Sequence, residues 1–346
     1  MTTNAHVTWL NMTDDDPAEL DAFEAAIGTR LHPVAREHLL DSREHELTPF
    51  PRIENHGDYL FGMLFVPSDT ANTKADFDRI VFAISFERVA ISVATHSTST
   101  HNWNAVIPGL GTRRAYSGDT APGGRFLLEL LDAVIARLSE DAVNLEAMVG
   151  TRTSELGSGI DLTQSVEPGE TEKLTSKVRR RIMERYKEHG PTLAAVRHEM
   201  PAMKAVVAET SAVLGSLVND DDRVDIKQDT GGTRRELFSK ELEIYLTDIY
   251  IDSLNLSTLL HAVDTSITTT KDFMKQLNDD ENVASNRFTG AIASIMLLPT
   301  FIVGLYGQNF DDMPETHWHY GYGFSWVVIV AVTVFQVWFF RRRKWL

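Results

Sequence analysis

Two stretches near the end of this 346-residue chain contain no Asp, Glu, Lys or Arg: residues 288–310 and 316–340. Each is long enough to cross a bilayer, which takes about 20 mostly apolar residues for roughly 30 Å of hydrocarbon. Their most apolar parts are residues 291–306 and 324–340. Charged residues make up 24% of the whole chain, so they are concentrated before residue 288 and in the last few positions. The pattern predicts a large polar domain followed by two transmembrane helices, residues 288–309 and 318–340, with a short connecting loop at 310–317.

The flanks predict orientation, because Lys and Arg stay on the cytoplasmic side and acidic residues count for little. Lys271, Lys275 and Arg287 precede the first stretch, and Arg341, Arg342, Arg343 and Lys344 follow the second in a basic tail, 341–346. The loop between them carries Asp311, Asp312 and Glu315 and no cation. Both termini are therefore expected in the cytoplasm of a cell carrying this multi-pass protein in its inner or plasma membrane. The opening Met-Thr-Thr-Asn-Ala-His-Val has neither a charged n-region nor an apolar h-region, so no signal peptide is expected. The net charge is 33 − 49 = −16, which argues against nucleic acid as a partner. With no cysteine there is no disulfide and no thiolate chemistry.

Residues 1–120 read as a mixed α/β domain. Helical spacing marks 14–27 and 34–40. Aromatic and β-branched residues mark strands at 59–66, 79–86 and 88–95, the last two forming a hairpin around Glu87. Residues 121–232 read as an antiparallel helical region. Its first helix begins near Arg125, where Leu127, Leu130, Leu131, Val134, Leu138, Leu145 and Met148 recur at helical steps. A second helical run, 170–219, is expected to break at Gly190-Pro191 and at Pro201. No Gly or Pro then occurs from Thr233 to Thr289, 57 residues, so one helix can run as a stalk, 233–287, straight into the first membrane segment. A helix from about residue 237 to 307 would measure roughly 105 Å, too long for one small domain to bury. It needs companion helices or further copies of the chain. The fold class expected is thus an α+β cytoplasmic domain, an N-terminal α/β sheet with a long helical stalk, carrying two C-terminal transmembrane helices in a homo-oligomeric funnel.

The first membrane segment ends in Tyr306-Gly307-Gln308-Asn309-Phe310, followed by Asp311-Asp312-Met313-Pro314-Glu315. This passage resembles the CorA family of magnesium channels, whose signature is Tyr-Gly-Met-Asn-Phe and then Met-Pro-Glu in an acidic outer loop. The resemblance extends to Pro299-Thr300-Phe301 and Gly304, to the tail ending Lys344-Trp345-Leu346 and, weakly, to Pro51-Arg52-Ile53-Glu54 and Asp58-Tyr59-Leu60-Phe61. Gln308 stands where the family has Met, while the Gly and Asn positions are intact. The resemblance implies a homopentamer that admits Mg2+, with Gly307, Gln308 and Asn309 as its selectivity filter. It also implies regulatory Mg2+ between cytoplasmic domains, held by a carboxylate near an Asp-aliphatic-Tyr sequence and acids of the adjacent subunit. Asp248-Ile249-Tyr250 matches the first part; Asp76 and Asp78 are candidates for the second.

The chemistry of the passage suits the same ion. Magnesium holds an octahedral oxygen shell and sheds its waters reluctantly, so a pore that passes it quickly should take the hydrated ion. A ring of Asn309 amides can accept hydrogen bonds from coordinated waters without trapping the dication as a carboxylate ring would. Asp311, Asp312 and Glu315 can raise the cation concentration outside. Helical steps back from the mouth place Gly304, Thr300, Leu297, Ala293, Thr289 and Asn286 on one stripe, with Leu297 as the expected hydrophobic gate. His317-Trp318-His319 reads as an interfacial belt beside the membrane entry.

Phosphate-loop, zinc-protease and nucleophile-elbow motifs are absent, so no enzyme is expected. The magnesium reading extends to cobalt and nickel as further ions, and two alternatives stay open at the level of sequence: a zinc or broad-specificity divalent cation transporter of the same superfamily, and a non-transporting membrane metal sensor.

Overall fold

The structure, a computed structural model, describes residues 2–4, 7–10, 17–40, 50–68, 77–95, 99, 103–111, 121–156, 176–219, 225–227, 234–308, 318–343 and 345. The chain divides into two compact units, residues 1–163 with 185–268, and residues 164–184 with 269–346.

The first unit contains a six-stranded sheet. Its strands are β1 (Thr2–Asn4), β2 (Val7–Leu10), β3 (Arg52–Asn55), β4 (Leu60–Pro67), β5 (Phe77–Ile84) and β6 (Val89–Ala94), in the order β1-β2-β6-β5-β4-β3. All neighbours are antiparallel except β2 and β6, which pair in parallel with Val7 opposite Val89. Every residue of β4 and β5 is buried, so the sheet is covered on both faces. Alternation sorts the side chains. Phe61, Met63 and Phe65 join Leu20, Phe23 and Ile27 of α1 (Pro17–Ile27) and Ala35 and Leu39 of α2 (Pro33–Leu40) in one core. On the opposite face Ile84 meets the start of α4 (Pro122–Leu156); a Cβ on Gly123 would stand 2.7 Å from the Ile84 methyl, so only glycine admits this approach.

Three long helices complete the architecture: α4, α5 (Ser176–Asn219) and α6 (Lys240–Tyr306), with the short α3 (Trp103–Val106) before them. In α6 the buried positions Leu242, Leu246, Ile249, Ser253, Leu256, Leu260, Val263 and Ile267 alternate steps of four and three, the seam of coiled-coil packing. In α5 the same rhythm runs through Leu193, Val196, Met200, Met203, Val207, Thr210, Leu214 and Leu217. Lys204 Nζ reaches Asp264 Oδ2 across the two helices at 2.9 Å.

Two sequence expectations are corrected here. The helix of residues 176–219 does not break: Pro191 and Pro201 lie inside α5. Both prolines are exposed, while the apolar seam continues past them, so packing outweighs the lost ladder bonds. The stalk helix expected from residue 233 begins only at Lys240, because β8 (Arg234–Glu236) pairs with β7 (Asp225–Lys227) in a hairpin. Elsewhere, among the described residues, the expected strand and helix positions agree within a few residues, and residues 240–306 form a single 67-residue helix.

The second unit contains the start of α5, the C-terminal part of α6 and α7 (Gly321–Arg342). Arg179 faces Asp280 at 3.9 Å. Past Leu277 the buried seam ends, and residues 281–290 are all exposed. Beyond them large apolar side chains are exposed along both helices, among them Met296, Leu297, Phe301, Val327, Val334 and Phe335. A surface of this kind requires lipid or protein to cover it.

Candidate functional site: the end of the apolar helix α6

Residues 291–306 are apolar apart from Ser294, Thr300 and Tyr306, and they stay helical with Pro299 inside the run. The helix closes at Gly307, whose N–H donates to Val303 O at 2.9 Å, and Gln308 N–H donates to Leu305 O at 3.3 Å. Gly307 and Gln308 are exposed at this end, where the last carbonyls and the negative end of the helix dipole favour a cation. Asn309, Asp311, Asp312, Glu315 and His317 lie outside the described residues, as does Asp76.

Gly304, Thr300, Leu297, Ala293, Thr289 and Asn286 are all exposed and share one face of α6. About half a turn away, Ala291 is buried and Ile295, Pro299, Ile302 and Tyr306 are half-buried, so the two sides of the helix differ. Thr300 Oγ1 donates to Met296 O at 2.7 Å. Its proton is thereby committed and its lone pairs remain, which makes it an acceptor, as a water-coated cation requires. Exposure by itself does not single out this stripe, since Met296, Phe301 and Val303 are exposed too.

Asp248 is exposed on α6, and its orientation has a cause. The next two residues turn inward: Ile249 is buried, and the Tyr250 ring lies against Gly215 of α5, where a Cβ would stand 3.2 Å from it. Asp252, one turn on, is exposed beside Asp248 and offers further oxygen ligands of the kind magnesium takes. Among the described residues no three His, Asp or Glu side chains of one chain converge on a metal position.

Asp78 behaves otherwise. It is fully buried on β5, and its carboxylate accepts hydrogen bonds from Ser68 Oγ at 3.2 Å, Ser99 Oγ at 2.5 Å and Trp103 Nε1 at 2.9 Å. The structure thus places Asp78 inside the fold, where its carboxylate holds these donors rather than standing at the surface as Asp248 does. Two residues that sequence reasoning passed over are Asp252, whose signal is the i, i+4 spacing from Asp248, and Gln336, a lone amide in an apolar run.

The family model described as CorA-like Mg2+ transporter protein matches residues 4–342. The chain belongs to the CorA family. This CorA-family chain is 39% identical over 74 residues to the magnesium transport protein CorA of Wolinella succinogenes, which is 21% of this chain and 23% of that protein. It is 30% identical over 111 residues to the cobalt/magnesium transport protein CorA of Thermotoga maritima, 32% of this chain and 31% of that one. The matched segments thus span less than a third of either relative's length. The fold is shared more widely. The complete CorA magnesium transporter of Methanocaldococcus jannaschii superposes with a TM-score of 0.62 at 17% identity, covering 98% of this chain and 91% of that one. The full-length CmaX protein superposes at 0.61 and 15% identity, covering 97% and 88%.

Among the described residues of this CorA-family chain, three helices are long and apolar enough to cross a membrane by length and composition: Val178–Asn219, Lys240–Tyr306 and Gly321–Arg342. They differ in cover. Of the most apolar window, 39% is buried in the first, against 6% and 11% in the other two.

Proposed function

We propose that this chain forms a membrane channel for hydrated Mg2+, a homopentameric funnel that also admits Co2+ or Ni2+ and conducts inward down the electrochemical gradient. The observation that carries this reading is α6: one helix leaves a folded α+β unit and becomes an exposed apolar segment ending in Gly307 and Gln308, next to Asn309. In this reading the first 120 residues and the helical region 121–232 are cytoplasmic, residues 233–287 are the stalk, and α6 crosses the bilayer at 288–309. The loop 310–317 faces outside, α7 returns at 318–340, and the basic tail 341–346 lies in the cytoplasm. Only two helices cross in this reading, because α5 has 39% of its apolar window buried within the protein, against 6% and 11% for α6 and α7. Trp318, Tyr320 and Tyr322 at one end of α7 and Trp338 and Phe339 at the other, with Arg342 over the Trp338 ring at 5.5 Å, suit the two interfaces of a membrane.

Asn309 amides, with Gly307 and Gln308, form the filter; Asp311, Asp312 and Glu315 concentrate cations before it. Gly304, Thr300, Leu297, Ala293, Thr289 and Asn286 line the pore, with Leu297 as gate. A potential of 100 mV drives a dication inward with about 4.6 kcal/mol, twice the ~2.3 per charge. A pore so driven requires feedback, which Asp248 supplies by sharing regulatory Mg2+ with acids of a neighbouring copy.

The test is uptake into liposomes containing the purified protein and a magnesium-sensitive dye. Asn309→Ala abolishes magnesium uptake while the assembled protein elutes as the parent does. Uptake at the parent's rate in this variant removes Asn309 from the filter. Parent vesicles that take up zinc and refuse magnesium would make the protein a zinc transporter, and vesicles tight to every ion would leave a sensor.

A further inference from the structure

An amide inside an apolar helix hairpin is unusual, since hydrocarbon offers it no partner. Gln336 of α7 is 8% exposed, and its Nε2 donates to the backbone carbonyl of Ser294 on α6 at 2.9 Å. The target has a reason to accept. Pro299 has no N–H for the carbonyl of Ile295, and its ring crowds that carbonyl, which opens the adjoining turns of the helix. Ser294 O and Met296 O flank the carbonyl that loses its donor. Each receives an extra side-chain donor: Gln336 from α7 on one side and Thr300, within α6, at 2.7 Å on the other. The interrupted turn is thus bracketed, once from its own helix and once from its neighbour. Gln336 Oε1 is buried and has no hydrogen-bond partner among the described residues, so the amide holds α6 by a single bond, one that can break and re-form.

We propose that Gln336 is a positioning residue that couples α7 to the proline turn of α6, so that any bend of α6 at Pro299 is set by α7. This rests on the reading of α6 as the conducting helix: a bend between Leu297 and Gly304 changes the bore, and the Gln336 bond decides which bend is favoured. The residue touches no ion.

The test compares four full-length proteins in lipid nanodiscs: the parent, Gln336→Met, Pro299→Ala and the double variant. Hydrogen exchange of residues 291–303 is followed by mass spectrometry. Gln336→Met speeds exchange there about threefold to tenfold, the effect of losing an interhelical hydrogen bond of roughly 0.6–1.4 kcal/mol. In the Pro299→Ala background, where the ladder is whole, the same change alters exchange by less than about twofold. A residue that merely packs would act equally in both backgrounds, and equal effects, or none, overturn the proposal. Should Gln336→Met fail to assemble, Gln336→Leu serves in the same four-way comparison. Magnesium uptake is measured on the same preparations. A parent that conducts, with flat exchange, overturns the coupling alone; the expected exchange pattern in a parent that does not conduct upholds the coupling and overturns the transport reading.

Discussion

Asp78 and Asp248 show how little residue type says about role. Both are aspartates expected at a metal site, yet one is fully buried and the other exposed. Asp78 holds the Trp103 indole and the Ser68 and Ser99 hydroxyls through its carboxylate. Its removal strands the buried donors of Ser68 and Trp103, which costs about 2–4 kcal/mol. Asp78→Ala should therefore lower the unfolding midpoint of the purified protein in denaturant, followed by tryptophan fluorescence, without altering inhibition by magnesium in whatever fraction folds. An unchanged midpoint would mean the bonds around Asp78 contribute nothing.

Among the elements α6 carries the most consequences, because one helix has two kinds of surface. Its first part keeps a four-three seam against other helices; its last part keeps none and exposes Leu297 at 69%. In the proposed ring of copies that leucine would form a collar too apolar for water to fill when closed. Leu297→Ser should wet the collar and leak, with uptake at high magnesium several-fold above the parent. If uptake stays at the parent's low level, Leu297 is a packing residue and the gate lies elsewhere. The same element logic explains α5. Two prolines forecast breaks, but the seam from Leu193 to Leu217 keeps its phase across Pro201, and burial of that seam holds the helix through the lost bond.

For the molecule as a whole, the proposed feedback by magnesium rests on acids shared between copies. A pair of carboxylates about 4 Å apart repels by roughly 4 kcal/mol at an effective dielectric near 20, before solvent relaxes. A bound dication reverses the sign, so its loss loosens one copy from the next. Asp248→Asn should raise the cytoplasmic magnesium needed for half-inhibition about tenfold, ~1.4 kcal/mol of lost binding. Asp248→Lys should instead mimic the bound cation and keep the pore shut. Both are read in patches or liposomes with magnesium titrated on the cytoplasmic side, and two curves that overlay the parent's would reduce Asp248 to a solvated surface acid.

The amino-acid sequence by itself determined the long helix α6 and the apolar segments. These depend on composition and periodicity over neighbouring residues: an absence of charge and 57 residues without Gly or Pro. Tertiary structure alone decided what depends on distant partners. The parallel pairing of β2 with β6 joins residues about eighty positions apart. The β7–β8 hairpin forms from Asp-Ile-Lys and Arg-Arg-Glu, segments with no apolar alternation to announce it. Asp78 is inside because β5 is covered on both faces, and Gln336 finds Ser294 because α7 meets α6 there. A hydrogen bond is made by two groups but encoded at two separate places, and neither place carries the address of the other.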